Sequence, residues 1–314
     1  MTSQTETPQH GSSPLAAIQT LQTLLGTENI LIDEPMSKHT TFRIGGPADV
    51  MVLPRSASQA AGVVKACREN DVPLRFLGLG SNVLVSDAGV RGVVCKLAEN
   101  LAGVSVDGTT VTAQAGASNE SVALAALQEG LGGYEFASGI PGTIGGAAVM
   151  NAGAYDGEFS HVCTSVTCIT PEGELVQIPA QQAEWGYRHS LMMDKGYLVV
   201  EAVLQLEPGS PAEIQARMDD LRQRRASKQP LEMPSAGSTF KRPAGYFAGK
   251  LIQDAGCQGL KVGDAQVSTK HAGFVVNCGN ATAQDVCDLI AEVQRRVMEH
   301  SGVALEPEVR MWGF

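Results

Sequence analysis

The sequence predicts a protein of mixed helices and strands that is built from more than one domain. Early in the chain a helix pattern and a strand pattern lead straight into the glycine loop GLGSN at 78–82, a succession typical of α/β units. Between residues 92 and 113 the pattern changes to short strands in which valine alternates with polar residues. A clear amphipathic helix lies near the carboxyl end. At 314 residues the chain is long enough for two or three domains.

The first half of the chain contains helix and strand patterns separated by glycine turns. Asp107-Gly108 is a strong hairpin signal because valines alternate on both sides of it. The predicted elements are a helix at 15–25, a strand at 49–53, a helix from Ser56 or Ser58 to about Asn70, strands at 73–77 and 92–97, a hairpin at 103–116 and a helix at 119–130.

The second half adds a second hairpin, two further helices and more strands. The basic helix at 211–230 is interpreted as a solvated face over Ile214, Met218 and Leu221 rather than as a nucleic-acid arm. The remaining predicted elements are a hairpin at 165–179, a strand at 196–206, a strand at 274–277, a helix that Thr282 caps with Asp285 three residues later, and a strand at 303–312.

Composition and charge exclude several classes of protein. The formal net charge is −10, from 23 basic and 33 acidic side chains, which argues against nucleic acid as the main partner. An anionic small molecule needs only a local basic pocket, so it stays possible. No apolar run reaches the ~18 residues of a membrane span. Residues 1–13 lack the features of a signal peptide, so residues 1–14 are predicted to form a disordered tail.

The seven cysteines are odd in number and form no CxxC pair. Most lie among apolar neighbours, which favours buried free thiols in a reducing cytosol over disulfides or zinc. No HExxH motif and no Cys/His cluster with zinc spacing occurs, so no metal is predicted. The protein is expected in the cytoplasm, without a membrane partner.

Glycine is concentrated at two places that resemble ligand loops. Residues 138–158 hold six glycines and almost no charge, and the loop at 78–82 follows a predicted strand. A Rossmann site is disfavoured because Val83 stands where the third glycine of GxGxxG would be. Backbone N–H groups with Ser81, Asn82 and Thr143 would form a nest for a pyrophosphate, as in a dinucleotide. The alternative is that both loops are only tight turns.

Three polar segments further along are candidates for chemistry. Arg188 stands in YRHS, and Ser238 stands in a glycine loop beside Lys241 and Arg242. In LEPEVR, Glu306, Glu308 and Arg310 would share one face of the predicted terminal strand. A surface ladder of charges is the commoner origin of such a pattern, and each segment taken alone is more often structural than catalytic.

In this order, the segments resemble the UDP-N-acetylenolpyruvoylglucosamine reductase (MurB) family. The resemblance spans about residues 37–314, and its combination of motifs is far more specific than any one glycine loop. The matching segments are TTFRIGGPAD (40–49), FLGLGSNVLVSDAGVRGVV (76–94), GLGGYEFASGIPGTIGGAAVMNAGAYDGE (130–158), WGYRHS (185–190), SAGSTFKRP (235–243), AGKLIQDAGCQGLKVGDAQVSTKHAGFVVN (248–277) and LEPEVR (305–310).

The resemblance implies an α+β fold. It comprises a flavin domain of the PCMH (vanillyl-alcohol-oxidase-like) type, made of two α/β subdomains, and a smaller α+β substrate-binding domain. The implied boundaries are 15–95 for the first FAD-binding subdomain, with 303–314 returning to the active site, 96–208 for the second, and 209–302 for the substrate-binding domain. Only 50 positions separate Arg188 from Ser238, which resembles the short, type II form of the family.

The resemblance also implies the cofactors and the residues that bind them. FAD is expected to be noncovalent because residues 76–94 contain no His or Cys, and NADPH is the implied hydride donor. The implied FAD-binding residues are Arg43, Gly78, Leu79, Gly80, Ser81, Asn82, Leu84, Ser138, Gly139, Ile140, Pro141, Gly142, Thr143, Gly145, Gly146, Asn151, Gly153, Ala154 and Arg188. The implied substrate-binding residues are Tyr187, Lys241, Lys250 and Gln266, and Arg242 departs from the asparagine of many members.

The implied reaction reduces the enolpyruvyl group of UDP-N-acetylglucosamine enolpyruvate to UDP-N-acetylmuramate, a peptidoglycan precursor. NADPH reduces FAD and leaves, and the vinyl carbon of the substrate then receives the hydride. Arg188 is expected to stabilise the negative charge, and Ser238 is expected to protonate the enolate. Glu308, rather than Glu306, is expected to polarise the intermediate when protonated, which requires a raised pKa.

Two other functions stay open at this point. One is another noncovalent PCMH-type flavoprotein, such as an oxidase of a sugar or alcohol. The other is a binding module for nucleotide sugars without activity. The partners expected in every case are small molecules, and a monomer is the expected oligomeric state.

Overall fold

The computed structural model describes residues 15–98 and 100–314. The predicted tail at residues 1–14 lies outside the described residues. The helices of the described part are α1 Leu15–Leu25, α2 Ala57–Glu69, α3 Asn119–Gln128, α4 Ile144–Met150, α5 Leu191–Lys195, α6 Pro211–Lys228, α7 Ala248–Asp254 and α8 Ala283–Ser301. Its strands are β1 Ile30–Pro35, β2 Pro47–Val52, β3 Leu74–Leu77, β4 Val83–Val85, β5 Val90–Lys96, β6 Val104–Asp107, β7 Thr110–Gln114, β8 Leu131–Gly132, β9 Gly153–Ala154, β10 Gly157–Glu158, β11 Cys163–Ile169, β12 Leu175–Pro179, β13 Leu198–Gln205, β14 Glu207–Pro208, β15 Ser235–Ser238, β16 Lys261–Val262, β17 Ala265–Val267, β18 Phe274–Asn277 and β19 Arg310–Trp312.

Three larger sheets carry the fold. The first has the order β1-β2-β5-β3, with β5 parallel to both β2 and β3. The second has the order β12-β11-β13-β7-β6 and is antiparallel throughout, and α4 packs on its central strand. The third has the order β15-β18-β17-β16, and α8 packs against it. Because β19 pairs with β4, the carboxyl end of the chain returns to the segment that follows the first glycine loop.

Local sequence signals predicted the five longer helices and both hairpins, whereas α4, α5, α7 and β1 were not predicted. Ser56 accepts a hydrogen bond from the Gln59 amide at the start of α2. Thr282 and Asp285 form the predicted capping box of α8. Both hairpins occur where valine alternation and turn residues indicated them. The helix predicted at 119–130 is α3, and the apolar run at 196–206 is β13.

The prediction of one strand over residues 303–312 is wrong. Only Arg310–Trp312 is a strand, and before it Pro307 forms an isolated antiparallel bridge with Phe240. Pro307 has no N–H to give to a ladder, and the flanking backbone groups bond to another segment instead. Lys241 N donates to Glu306 O at 2.8 Å, and Glu308 N donates to Thr239 O at 2.8 Å. Glu306, Glu308 and Arg310 therefore do not form a ladder on one face.

The cysteines are free thiols, as the sequence predicted. Cys67, Cys95, Cys163, Cys168 and Cys257 are buried, Cys287 is half-buried and Cys278 is exposed. Burial raises the pKa of the Cys67 thiol to about 12. Such thiols pack as small apolar groups and stay protonated at neutral pH. Among the residues described, no helix combines the length and the apolar character that crossing a membrane requires.

Asp87, in the loop between β4 and β5, caps α8, the helix that packs against the third sheet. Its carboxylate accepts hydrogen bonds from Ala283 N at 2.9 Å and from Gln284 N at 3.1 Å, at the first turn of α8. We expect Asp87→Ala to lower the free energy of unfolding by about 0.5–2 kcal/mol, because two N–H groups at a helix start lose their acceptor. Denaturant unfolding measures the change, with the exposed Asp288→Ala on the same helix as the control. Equal stability of the two variants would show that this cap contributes nothing.

Candidate active site

One large cavity lies where the glycine loops, β19 and the segment before β15 meet. Its volume is about 770 Å³, within the size range of ligand pockets. The loop 78–82 leaves the carboxyl end of β3, and the segment 140–143 leads into α4. Residues 229–238 close the side that faces the third sheet.

The two glycine loops are in direct contact. Ser81 Oγ donates a hydrogen bond to the Pro141 carbonyl at 2.8 Å. A Cβ atom at Gly78 would collide with Thr143 Oγ1, so only glycine lets the loops approach this closely. Gly80 has a φ of +63°, and its carbonyl accepts from Thr41 N at 3.2 Å. The loops therefore form one continuous wall of small residues.

This wall presents hydrogen-bond donors to the cavity. Among the described residues, the amide groups from Leu79 to Asn82 have no intramolecular acceptor. Consecutive free N–H groups in a glycine loop form a concave site for an anion. The cavity lining also carries four arginines and two glutamates, namely Arg43, Arg188, Arg225, Arg310, Glu232 and Glu308. A locally basic pocket thus exists in a chain whose net charge is −10.

Arg225 is a cavity residue that the sequence interpretation missed. It is only 9% exposed, and no carboxylate of the described residues pairs with it. Its Nη1 donates to Gln229 Oε1 at 3.4 Å, and its guanidinium lies 5.7 Å from the centre of the Tyr155 ring. Burial lowers the pKa of Arg225 from its ordinary value. A buried cation with only neutral partners fits an anionic ligand, which would supply the opposite charge.

Arg188 and Glu308 form a half-buried ion pair beside the cavity. Arg188 Nε donates to Glu308 Oε1 at 2.8 Å, and its Nη2 donates to the Gly153 carbonyl at 3.3 Å. The side chains are 20% and 13% exposed. Arg188 has a φ of 55°, which is rare for a residue with a side chain. Strain of this kind is typical of functional sites.

The backbone fixes Glu308 and Ser238 relative to each other. Glu308 N donates to the carbonyl of Thr239, the residue after Ser238. Asn82 also holds the backbone around Glu308. Its Nδ2 donates to Glu308 O at 3.2 Å, and its carbonyl accepts from Arg310 N at 3.0 Å. Ser238 lines the cavity, and within the described residues its hydroxyl has no hydrogen-bond partner. The hydroxyl is therefore available to a ligand.

The cavity brings together residues predicted from segments far apart in the chain. The predicted residues that line it are Arg43, Gly78, Leu79, Gly80, Ser81, Asn82, Ile140, Pro141, Gly142, Thr143, Gly146, Gly153, Ala154, Arg188, Ser238 and Glu308.

Five of the predicted FAD-binding residues do not line the cavity. Leu84 is fully buried within β4, and the Ser138 hydroxyl donates to the Glu135 carbonyl at 2.8 Å. Gly139 packs against Arg225, and Gly145 packs against Ala115. Asn151 is 1% exposed and uses its amide within the fold. Its Nδ2 donates to Glu158 and to the Gly186 carbonyl, and its Oδ1 accepts from Ser160 N. These residues support the wall from behind.

The predicted substrate-binding side chains also lie outside the cavity lining. Lys241 forms an ion pair with Glu306, and Lys250 Nζ contacts Asp254 Oδ1 at 2.5 Å. Gln266 Nε2 donates to the Gly259 carbonyl at 3.1 Å. Tyr187 is exposed beside Arg188, with its ring centre 4.9 Å from that guanidinium. Their roles in binding stay predictions.

Comparison with known proteins connects the site to a family. Residues 229–312 match the family described as UDP-N-acetylenolpyruvoylglucosamine reductase, C-terminal domain, and residues 48–179 match the FAD binding domain. The UDP-N-acetylenolpyruvoylglucosamine reductase of Clostridium perfringens is 54% identical over 286 residues, which is 91% of this chain and 94% of that protein. The protein of the same name from Lachnoclostridium phytofermentans is 48% identical over 300 residues, covering 94% and 97%.

A solved structure is similar over almost the same length. The crystal structure of UDP-N-acetylenolpyruvylglucosamine reductase (MurB) from Thermus caldophilus superposes with a TM-score of 0.77 at 34% identity, covering 90% of this chain and 98% of that one. These matches confirm the predicted α+β fold with a PCMH-type FAD-binding domain, and FAD as its cofactor. The free loop amides, the buried Arg225 and the cavity volume fit such a dinucleotide.

Proposed function

This chain belongs to the UDP-N-acetylenolpyruvoylglucosamine reductase family and is a flavoenzyme, and we propose that NADPH is its electron donor. The proposed reaction reduces the enolpyruvyl ether of UDP-N-acetylglucosamine enolpyruvate to UDP-N-acetylmuramate. Bound FAD supplies a two-electron carrier between the two substrates. The chain itself must then hold the cofactor, orient the enolpyruvyl group, stabilise its negative charge and deliver one proton.

We propose that the diphosphate of FAD lies against the joined glycine loops. The free amides of residues 79–82 support this, because consecutive N–H groups bind phosphate oxygens without a lysine. Arg225 contributes the compensating charge from its position next to Gly139. Ser81 and Thr143 hold the two loops together and so fix the positions of the donors.

Arg188 is proposed to stabilise the charge that develops on the substrate carboxylate and the adjacent carbon. Its guanidinium is always protonated, and Gly153 and Glu308 hold it in place at 3.3 Å and 2.8 Å. A donor fixed before the reaction needs no reorganisation when charge appears, which is why it lowers the barrier. Glu308 is proposed to position Arg188 through this ion pair and, when it carries a proton, to polarise the intermediate from the same side.

Ser238 is proposed to protonate the carbon. A hydroxyl is a weak acid in water, but an enolate is basic enough to take its proton within hydrogen-bond reach. The availability of this hydroxyl supports the assignment, since its hydrogen is not committed to a partner within the described residues. Gly237, at a φ of +74°, and the irregular pairing of β15 with β18 direct this part of the strand at the cavity.

The observation that carries the proposal is the meeting of Arg188, Glu308 and Ser238 at one cavity with the glycine loops. A steady-state assay tests it. NADPH oxidation by the purified holoenzyme is expected to require the enolpyruvyl sugar nucleotide and to stall after one equivalent of flavin without it. The control is UDP-N-acetylglucosamine, which lacks the enolpyruvyl group. Sustained NADPH consumption with oxygen alone, or turnover of a simple alcohol, would contradict the proposal and favour an oxidase.

A further inference from the structure

An exposed group of aromatic rings and one arginine lies beside the active site and outside the cavity lining. Tyr187, Arg242, Tyr246 and Phe247 form it, and we refer to it as the aromatic patch. Tyr187 is 50% exposed, Tyr246 49% and Phe247 63%. They are among the large apolar side chains that the fold leaves in solvent, and clustered exposure of this kind marks a binding surface.

The aromatic patch has a fixed arrangement. The Arg242 guanidinium lies 4.0 Å from the centre of the Phe247 ring, and its Nε donates to the Tyr246 carbonyl at 3.3 Å. The Tyr187 hydroxyl accepts from Arg242 N at 3.3 Å. Tyr246 N closes the turn by donating to the Pro243 carbonyl at 3.1 Å. A flat ring held in this way loses little freedom when a ligand stacks on it.

The aromatic patch is continuous with the catalytic residues. From Glu308 the contacts run to Arg188 at 2.8 Å, from Arg188 to the Tyr187 ring at 4.9 Å, and from Tyr187 to Arg242. A substrate whose enolpyruvyl group lies at Arg188 and Ser238 must extend its remaining part out of the cavity. Tyr187 lies beside the arginine at which that group is held, and the patch extends outward from it.

The charge of the aromatic patch suits a nucleotide. Within the part of the chain that the structure describes, Arg242 has no carboxylate at ion-pair distance, whereas the neighbouring Lys241 is paired with Glu306. A planar ring beside an unpaired guanidinium offers stacking to a base and an opposite charge to the phosphates that the base carries.

We propose that the aromatic patch is the site for the uracil base of the sugar nucleotide, with the face of Phe247 that Arg242 does not cover as the stacking surface. This inference rests on the proposed function and adds to it the residues that recognise the nucleotide end. Most of the patch belongs to residues 229–312, the region that matches the reductase-specific domain, rather than to the FAD-binding region at 48–179. That placement favours the sugar nucleotide over NADPH as the occupant.

Phe247→Ala tests the proposal with UDP as the probe. The dissociation constant of UDP for the oxidised holoenzyme, measured by calorimetry, is expected to rise about 5- to 100-fold, the range that one lost base stack gives. The KM of the enolpyruvyl substrate should rise with it, while kcat at saturation stays within about twofold, because no reacting group has changed. Phe247→Trp should restore UDP binding. Phe314→Ala is the matched control, since Phe314 is 56% exposed and lies outside the cavity lining.

A second titration with NADP⁺ separates the two nucleotides. Unchanged UDP binding in Phe247→Ala would overturn the proposal, as would weaker binding of NADP⁺ with UDP unaffected. Substrate reduction tests the proposed function separately. If the wild-type holoenzyme binds UDP through Phe247 but does not reduce the enolpyruvyl substrate, the proposed function is wrong although the aromatic patch binds the base. Flavin content and the unfolding transition of each variant show that the fold is intact.

Discussion

Protein in which Arg225 is replaced by alanine is expected to purify with little or no bound FAD. The guanidinium is buried at the cavity, and Gln229 and Tyr155 are its neutral partners. If it balances the FAD diphosphate, truncation leaves phosphate charge without its partner, which costs about 2–5 kcal/mol. That corresponds to a loss of affinity of roughly 30-fold to several thousand-fold. The ratio of visible flavin absorbance to protein absorbance, and titration of the apoprotein with FAD, measure it.

Two further variants make this result specific. Arg225→Lys keeps the positive charge but loses the planar set of N–H donors of the guanidinium. Its affinity for FAD is therefore expected to lie between those of wild type and Arg225→Ala. Arg224→Ala is the matched control, because Arg224 is the preceding residue of α6 and its partner is the exposed Asp220. If Arg225→Ala retained stoichiometric FAD with wild-type affinity, the guanidinium would have no part in holding the cofactor.

The periodicity of the sequence indicates that Arg225 is buried. Ile214, Met218 and Leu221 were predicted as the buried stripe of the helix, and Arg225 is the next residue at the same spacing. In the structure all four are buried. An arginine on an apolar stripe needs a partner, and that requirement points to a ligand. The sequence interpretation instead placed the basic residues of this helix on a solvated face over Ile214, Met218 and Leu221.

Local chemistry was sufficient to predict both hairpins and the five longer helices of the described part, but not the short helices α4, α5 and α7. The capping box at Thr282, the Ser56 cap and the turn signals all depend on residues a few positions apart. The prediction of a long terminal strand was wrong because the shape of that segment depends on residues far away in the sequence. The backbone at Glu306 and Glu308 is hydrogen bonded to Lys241 and Thr239, more than 60 positions away, and no local sequence pattern indicates such a contact.

Contacts between distant residues were also unpredictable in the candidate site. The motifs indicated Arg188, Ser238 and Glu308 as site residues, but the sequence did not show that the Arg188 side chain pairs with Glu308 at 2.8 Å, 120 positions later. Nor did it separate residues that line the cavity from those that support it. Asn151 stands in the glycine-rich segment, yet its amide organises the turn behind the wall. Which way a side chain points depends on neighbours that only the fold brings together.

Replacing Ser238 with alanine is expected to separate the two half-reactions. NADPH oxidation in a single turnover should proceed at the wild-type rate, because the hydroxyl takes no part in holding FAD or NADPH in the proposed site. Reduction of the enolpyruvyl substrate should slow by about 100-fold to 10,000-fold, the usual contribution of a positioned proton donor. Rapid-mixing absorbance measurements, with each substrate added alone to the appropriate redox form, give the two rates.

The substitution is small enough to leave the site otherwise intact. Thr239, the next residue, keeps its contacts, since its carbonyl accepts from Glu308 N and its Oγ1 accepts from Val275 N at 2.9 Å. Flavin content should therefore equal that of wild type and of the control Ser227→Ala, an exposed serine on α6. Ser238→Cys should recover part of the second rate, because a thiol also carries a transferable proton. If both half-reactions of Ser238→Ala ran at wild-type rates, the proton would come from another group. If only NADPH oxidation were lost, Ser238 would act on the donor instead.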